Sequence, residues 1–340
     1  MYNLENIVRK NILNLLPYSS ARNEFNGKNG IFLDANENPF GTLNRYPDPY
    51  QKELKQVLSA YKSVPPENIF IGNGSDEVID LAFRIFCNPG KDAALTFSPT
   101  YGMYDVSAAI NEVQLIKLPL NHSFQINFEE FENTLNFPNL KLIFICSPNN
   151  PTGNSIENIE RILQKFSGIV LVDEAYIDFS KQESLLSKLN QYPNLIVSQT
   201  FSKAWGLAAA RVGIAYASEL IISIFNKVKP PYNVSKLNQD AAIDALKKEL
   251  IFEKNKNTII DQKVWLEQKL SELPIIKKIY PSDANFILVE TSDANSIYKQ
   301  LVDQHVITRN RNNIVKNCIR ITVGSENENQ QMINALKNVI

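Results

Sequence analysis

From about residue 68 the chain repeats one arrangement: a short apolar run, then a stretch with helical spacing. Apolar runs fall at 69–71, 93–97, 113–118, 140–146, 168–172, 195–199 and 212–217, with helical patterns between most of them, for example 75–86 and 156–166. Runs this short and this uniformly apolar are strands covered on both faces, and their alternation with helices calls for a mostly parallel sheet. The fold class expected is α/β, a mostly parallel sheet sandwiched by helices, with a smaller α+β lobe. Sheets of this kind bind ligands at the loops that follow the carboxyl ends of their strands.

The rest of the chain is organised around that sheet. Lys229, Pro230, Pro231 and Tyr232 mark a joint, followed by helical patterns at about 236–254 and 257–272. Strand (285–290), helix (294–304), strand (318–323) and helix (326–339) signals complete a small lobe. At the other end, Leu4, Ile7, Val8, Ile12, Leu15 and Leu16 fall at helical spacing and predict a docking helix. Residues 17–50 hold four Pro and three Gly without sustained periodicity and read as an extended arm. Neither the arm nor the small lobe has much core alone, so the two are expected to pack together. The division expected is 1–40 for the N-terminal helix and arm on the small domain, 41–250 for the large domain and 251–340 for the small C-terminal domain.

Composition narrows the partners. Lys plus Arg number 35 against 36 Asp plus Glu, a net charge of −1, which provides no general field for nucleic acid or an anionic membrane. No stretch approaches the length of a membrane span, and Glu5, Arg9 and Lys10 interrupt any signal-peptide core. Cys87, Cys146 and Cys318 are widely separated and odd in number, as expected of free thiols in a reducing compartment. The two histidines, His122 and His305, are too isolated for a His-based metal site. A cytoplasmic protein without metal is the expectation.

Five polar segments sit at the loops where a ligand is expected. Residues 200–213 read TFSKAWGLAAARVG. A lone lysine is usually a solvated surface residue. Lys203, however, follows a strand among small residues and beside Trp205, with Thr200, Ser202 and Arg211 near enough in sequence to hold a phosphate. In LVDEAY (171–176), Asp173 closes an apolar strand, where an Asp more often caps a turn. Asp173 and Tyr176 lie about one crossover unit before Lys203, so all three can return to one sheet edge. SPNNPTG (147–153) follows another strand and by itself is a turn-rich loop. GNGSDE (72–77) can start a capped helix or seat an anion on backbone N–H groups. PTYGMY (99–104) supplies Tyr101, either core filler or a ring to stack on a planar group.

Together, and in this order, these segments resemble the fold type I pyridoxal-phosphate aminotransferases over nearly the whole chain. DANENPF at 34–40, RYPDP at 45–49 and ITVG after Arg320 bring the resemblance closest to the branch of that family acting on histidinol phosphate. The resemblance implies pyridoxal 5'-phosphate as cofactor. Lys203 would be the Schiff-base lysine, Asp173 the partner of the pyridine nitrogen, and Tyr176 and Asn150 the ligands of the ring oxygen. Tyr101 would stack on the ring. Gly74, Ser75, Thr200, Ser202 and Arg211 would cradle the cofactor's phosphate, and Asp76 would belong to the cofactor-binding set. Tyr46 would reach the cofactor phosphate of a partner subunit, which implies a homodimer with shared sites. Arg320 would bind the anionic end of the substrate, with Arg309 (or its neighbour Arg311) as second anion ligand, and Tyr18 and Asn36 from the arm lining the pocket. The implied reaction is transamination between histidinol phosphate and 2-oxoglutarate, giving imidazole-acetol phosphate and glutamate. The alternatives are an aromatic amino-acid aminotransferase of the same subfamily, a phospho-amino-acid decarboxylase, and a non-catalytic binding protein on the same fold.

Overall fold

The computed structural model describes residues 3–18 and 30–339. Seven strands form the large sheet: β1 (Ile69–Asn73), β2 (Ala93–Ser98), β3 (Gln114–Pro119), β4 (Leu140–Cys146), β5 (Ile169–Asp173), β6 (Leu195–Thr200) and β7 (Val212–Tyr216). They lie in the order β1-β7-β6-β5-β4-β2-β3. Only β7 runs against its neighbours. It follows β6 through a loop at 201–211 with no crossover helix, and so returns antiparallel.

Strand residues alternate between two cores. Ile143, Ile145, Val170 and Val172 face one, whereas Leu142, Phe144, Ile169 and Leu171 face the other. The first is covered by α3 (Lys52–Lys62), α6 (Phe128–Thr134), α7 (Ile159–Lys165) and α9 (Lys236–Leu246). The second is covered by α4 (Ser75–Phe86), α5 (Met103–Ile110) and α8 (Glu219–Val228). Burial on both faces explains why the strands read as continuous apolar runs.

The small lobe pairs β8 (Ile276–Ile279), β9 (Phe286–Thr291), β10 (Arg309–Asn310) and β11 (Cys318–Thr322) in the order β10-β11-β9-β8, all antiparallel. Helices α10 (Glu249–Ser271), α11 (Ala294–Asp303) and α12 (Glu326–Lys337) close its core. A further apolar cluster joins the lobes: Tyr176, Phe179 and Ala204 from the large one meet Phe252, Ala284 and Phe286 from the small one.

The N-terminal segment departs from expectation. It forms two short helices, α1 (Leu4–Ile7) and α2 (Lys10–Leu13), broken where Val8 turns extended. They dock on the large lobe, not the small one. Ile7, Val8 and Ile12 bury against the core that holds Phe86 and Phe225. The Arg9 amide donates to the Ile85 carbonyl at 3.0 Å, and Lys227 Nζ donates to the Leu13 carbonyl at 2.6 Å. The first part of the apolar stripe is buried there, while Leu15 and Leu16 at its end stay exposed. The expected arm includes 19–29, which lie outside the described residues; from residue 30 it stands out, with Ile31, Leu33 and Phe40 at least 80% exposed. The helical signal expected at 236–254 breaks earlier, because Lys248 leaves helical backbone and α10 starts at Glu249.

Candidate active site

Three adjacent parallel strands set the site. Cys146 of β4 pairs with Asp173 of β5, and Asp173 pairs with Ser198 of β6. The loops leaving these strand ends therefore emerge side by side, carrying Asn150, Tyr176 and Lys203. A cavity of about 340 Å³ opens there. It is lined by Ser75, Asp76, Tyr101, Asn150, Asp173 and Tyr176, and further by Thr200, Ser202, Lys203, Arg211, Arg309 and Arg320. Twelve of the sequence-derived candidates thus meet in one place.

At its floor, the buried Asp173 accepts hydrogen bonds from the Ala175 amide and the Tyr104 hydroxyl, each at 3.1 Å. Burial raises its carboxyl to about 6, against the lowering effect of those two donors. A carboxylate offers about four acceptor sites, so this one keeps capacity for a cationic N–H in the cavity. Lys203 Nζ stands 5.6 Å from the centre of the Tyr176 ring. Burial, then the Arg320 charge, lower its ammonium from the ordinary lysine range.

One end of the cavity gathers groups that suit an anion. Gly74 enters α4 at φ +79°, and a Cβ there would lie 2.6 Å from Arg211 Nη2. The twelve-residue helix begins without a side-chain cap, leaving first-turn N–H groups for an anion. Arg211 Nη2 donates to Asp76 Oδ2 at 3.0 Å, and the Tyr101 hydroxyl donates to Asp76 Oδ1 at 3.1 Å. Thr200 Oγ1 donates to Ser202 Oγ at 3.0 Å. Gly213 of β7 makes the turn possible: a Cβ on it would fall 2.2 Å from the Gly74 carbonyl carbon and the Ser75 nitrogen.

The other end is cationic. Arg309 and Arg320 are directly paired across β10 and β11, and Arg311 lines the same cavity. Arg320 Nη1 donates to Asn150 Oδ1, and its guanidinium lies over the Phe286 ring. The Nε atoms of Arg311 and Arg320 are buried without an acceptor among the described residues. Burial, then Arg320 and Arg309, lower the Arg311 guanidinium to about 10. Arg309 is exposed, but among the described residues no carboxylate pairs with Arg311 or Arg320, and part-buried guanidiniums of this kind suit an anion.

Four candidates lie outside this cavity. Gly74 shapes its wall only through the α4 turn. Tyr46 and Asn36 share a separate surface groove with Ser235 and Leu237, and the Tyr46 ring stacks on Tyr232 at 4.4 Å. Tyr18 lies beside Tyr50, Lys227 and Lys229. Sequence reasoning missed Tyr104, Gly213 and Asn149. Asn149 accepts from Thr100 Oγ1 at 2.8 Å and donates to the Pro99 carbonyl at 2.8 Å, tying two site loops together. All three stood inside the quoted motifs, but nothing in their spacing marked them.

The residues fit pyridoxal phosphate: a buried carboxylate with spare acceptor sites, a lysine of lowered basicity, and a Gly74 cradle that a side chain would fill. The aminotransferase class I and II family profile matches residues 22–336. Histidinol-phosphate aminotransferase of Cytophaga hutchinsonii is 52% identical, covering 99% of this chain and 99% of its own. That of Parabacteroides distasonis is 48% identical over 100% of this chain and 99% of its own. The crystal structure of the Sinorhizobium meliloti enzyme of that name, in complex with pyridoxal-5'-phosphate, superposes with a TM-score of 0.80 at 25% identity, covering 90% of this chain and 89% of that one. The chain belongs to the class I and II aminotransferases, and within them to the histidinol-phosphate aminotransferases.

Proposed function

We propose that the protein is a pyridoxal-phosphate-dependent enzyme that moves an amino group between histidinol phosphate and 2-oxoglutarate, in histidine biosynthesis. The observation that carries this reading is the set of three guanidiniums, Arg309, Arg311 and Arg320, lining one cavity with Lys203 and Asp173. A phosphate ester and a carboxylate must take turns in that pocket, and arginine forks suit both.

Asp173, Tyr176, Asn150, Tyr101 and the Ser75–Thr200–Ser202–Arg211 end would hold the cofactor. Bound there, its protonated ring serves as an electron sink for charge developing at the substrate's α-carbon. Lys203 Nζ takes the proton from that carbon and returns it on the far side of the transfer, acting as base and then acid. Burial and the Arg320 charge lower its basicity, which favours the neutral amine that the first task requires. Arg320, held by Asn150, orients the substrate's anionic end. Trp205, stacked on Phe252 at 3.8 Å, lines a neighbouring cavity with Lys203 and adds apolar surface beside it.

The working unit in this reading is a cytoplasmic homodimer. Ile31, Leu33, Phe40 and Leu43 of the arm are exposed large apolar side chains, with Leu43 in the groove that holds Tyr46, and a second copy would cover them. Free, buried cysteines agree with a reducing compartment, and among the described residues no helix is long and apolar enough to cross a membrane.

The test is an amino-donor panel with 2-oxoglutarate: histidinol phosphate, phenylalanine, tyrosine and threonine phosphate. At least tenfold higher kcat/KM for histidinol phosphate is expected. Preference for phenylalanine or tyrosine would overturn the substrate assignment while leaving the aminotransferase in place.

A further inference from the structure

Tyr104 belongs to the site without lining its cavity. It sits in the first turn of α5, wholly buried, and its hydroxyl lies 3.1 Å from Asp173 Oδ2. The ring has little freedom. It stacks on Phe144 of β4 with centroids 4.9 Å apart, and meets Tyr101 edge-on at 5.8 Å. Burial pushes its phenol well above the ordinary tyrosine range, so it keeps its proton and donates, while Asp173 accepts.

We infer that Tyr104 is a positioning residue for the cofactor: its hydroxyl fixes Asp173 Oδ2 and keeps that carboxylate ionised for the ring nitrogen. The inference rests on the pyridoxal-phosphate reading of the cavity. Asp173 is fully enclosed, and a carboxylate taken out of water tends to protonate unless hydrogen bonds hold its charge. Among the described residues two donors do so, and the other is the Ala175 backbone amide, which any side-chain change short of proline leaves in place. The remaining groups facing Asp173 are Tyr101 ahead of α5, Tyr176 after β5, Cys146 at the end of β4, Asp76 in α4 and Lys203 after β6. Burial raises the phenols of Tyr101 and Tyr176 and the thiol of Cys146, so these stay neutral near pH 7. Asp76 opposes ionisation of Asp173 and Lys203 favours it, with Lys203 the smaller influence.

The sign follows. Without Tyr104's donor the Asp173 carboxyl rises further above about 6. The apoprotein then holds a proton that must leave before a protonated pyridine can pair with the carboxylate. Binding weakens as pH falls through that midpoint, and in the variant it weakens at higher pH.

The probe is pyridoxamine 5'-phosphate, whose amine does not condense with Lys203 and so leaves that lysine's own titration out of the covalent step. Its dissociation constant is measured by fluorescence titration from pH 5 to 8, for wild type, Tyr104→Phe, Asp173→Asn and the double variant. Tyr104→Phe keeps the ring and its stacking and loses one oxygen. Its binding midpoint should rise by about one pH unit, and at pH 6 it should bind about fivefold more weakly than wild type. In the Asp173→Asn background the same change should leave the pH dependence where it was. Thermal unfolding of the apoproteins reports any purely structural role. A midpoint within 0.2 unit of wild type, whatever the stability, would overturn the inference. Failure of wild type to bind the probe at any pH would instead remove the cofactor reading beneath it.

Discussion

Gly213→Ala is the sharpest test of how the phosphate end is built. Position 213 lies in the buried β7, directly under the turn into α4. A Cβ there would stand 2.2 Å from the Gly74 carbonyl carbon and the Ser75 nitrogen, and 2.6 Å from the Gly74 oxygen. All three are backbone atoms, so no flexible side chain can give way. Ordinary contact needs the turn to retreat by about 1 Å, a forced overpacking of the kind that costs about 1–3 kcal/mol. The upper part of that range applies, because Gly74 is already held at φ +79° against Arg211. About 3 kcal/mol would lower the apoprotein's Tm by roughly 5 °C in a chain of this size. The same retreat withdraws the first-turn N–H groups from the cofactor phosphate, and losing one charge-assisted contact means a ten- to hundredfold weaker Kd for pyridoxal phosphate. Circular dichroism melting and cofactor titration by fluorescence measure the two effects. Gly102→Ala is the control, since a Cβ there meets nothing within 4 Å and its φ is −68°. Wild-type melting and cofactor affinity in Gly213→Ala would refute the reasoning, by showing that the turn is free to move off β7.

Other outcomes follow from the cationic end and the arm. Arg320→Ala should lower kcat/KM ten- to hundredfold in both half-reactions, followed separately by single-turnover absorbance, since one anion contact is worth about 1.5–3 kcal/mol. Arg309→Ala should harm the histidinol-phosphate half more than the glutamate half; equal small losses would show that this exposed side chain meets no substrate. Mixing Tyr46→Ala chains with Lys203→Ala chains should restore part of the activity, because one site of each mixed dimer then carries neither change. No recovery with mixed dimers demonstrably formed would count against shared sites.

The strands and the chemistry at their ends were legible for one physical reason. A buried parallel strand must be apolar throughout, so the polar residue that follows it stands out, as Asp173 and Lys203 do. Arg320 was legible through its motif. The supporting residues were not. Tyr104 reads as one more aromatic of an apolar helix face, and only the fold brings its hydroxyl to Asp173. Gly213 looks like any strand glycine until the α4 turn is placed over it. The N-terminal stripe correctly announced a docking surface, yet periodicity says only that a face is apolar, not which lobe will cover it. Tyr46 and Asn36 lie together on the arm, away from this chain's own cavity, and spacing within the sequence does not tell the residues of that groove from those of the cavity.

The pairing of β4, β5 and β6 has a consequence for how this chain tolerates change. Neighbouring strands lie about 4.8 Å apart, and Asn150, Asp173 and Lys203 each leave the end of one strand or follow it closely. Their lateral spacing is therefore set by the hydrogen-bonded ladder, like marks on a ruler, and not by the length of the chain between them. Extra residues at the opposite edge, such as the exposed stretch 136–138 ahead of β4, leave the marks where they are. A single residue added within 147–150 or 201–203 slides one group along its axis while its neighbours stay fixed. Length variation should accordingly be permitted at one rim of the sheet and excluded at the other, a polarity that comes from strand direction alone.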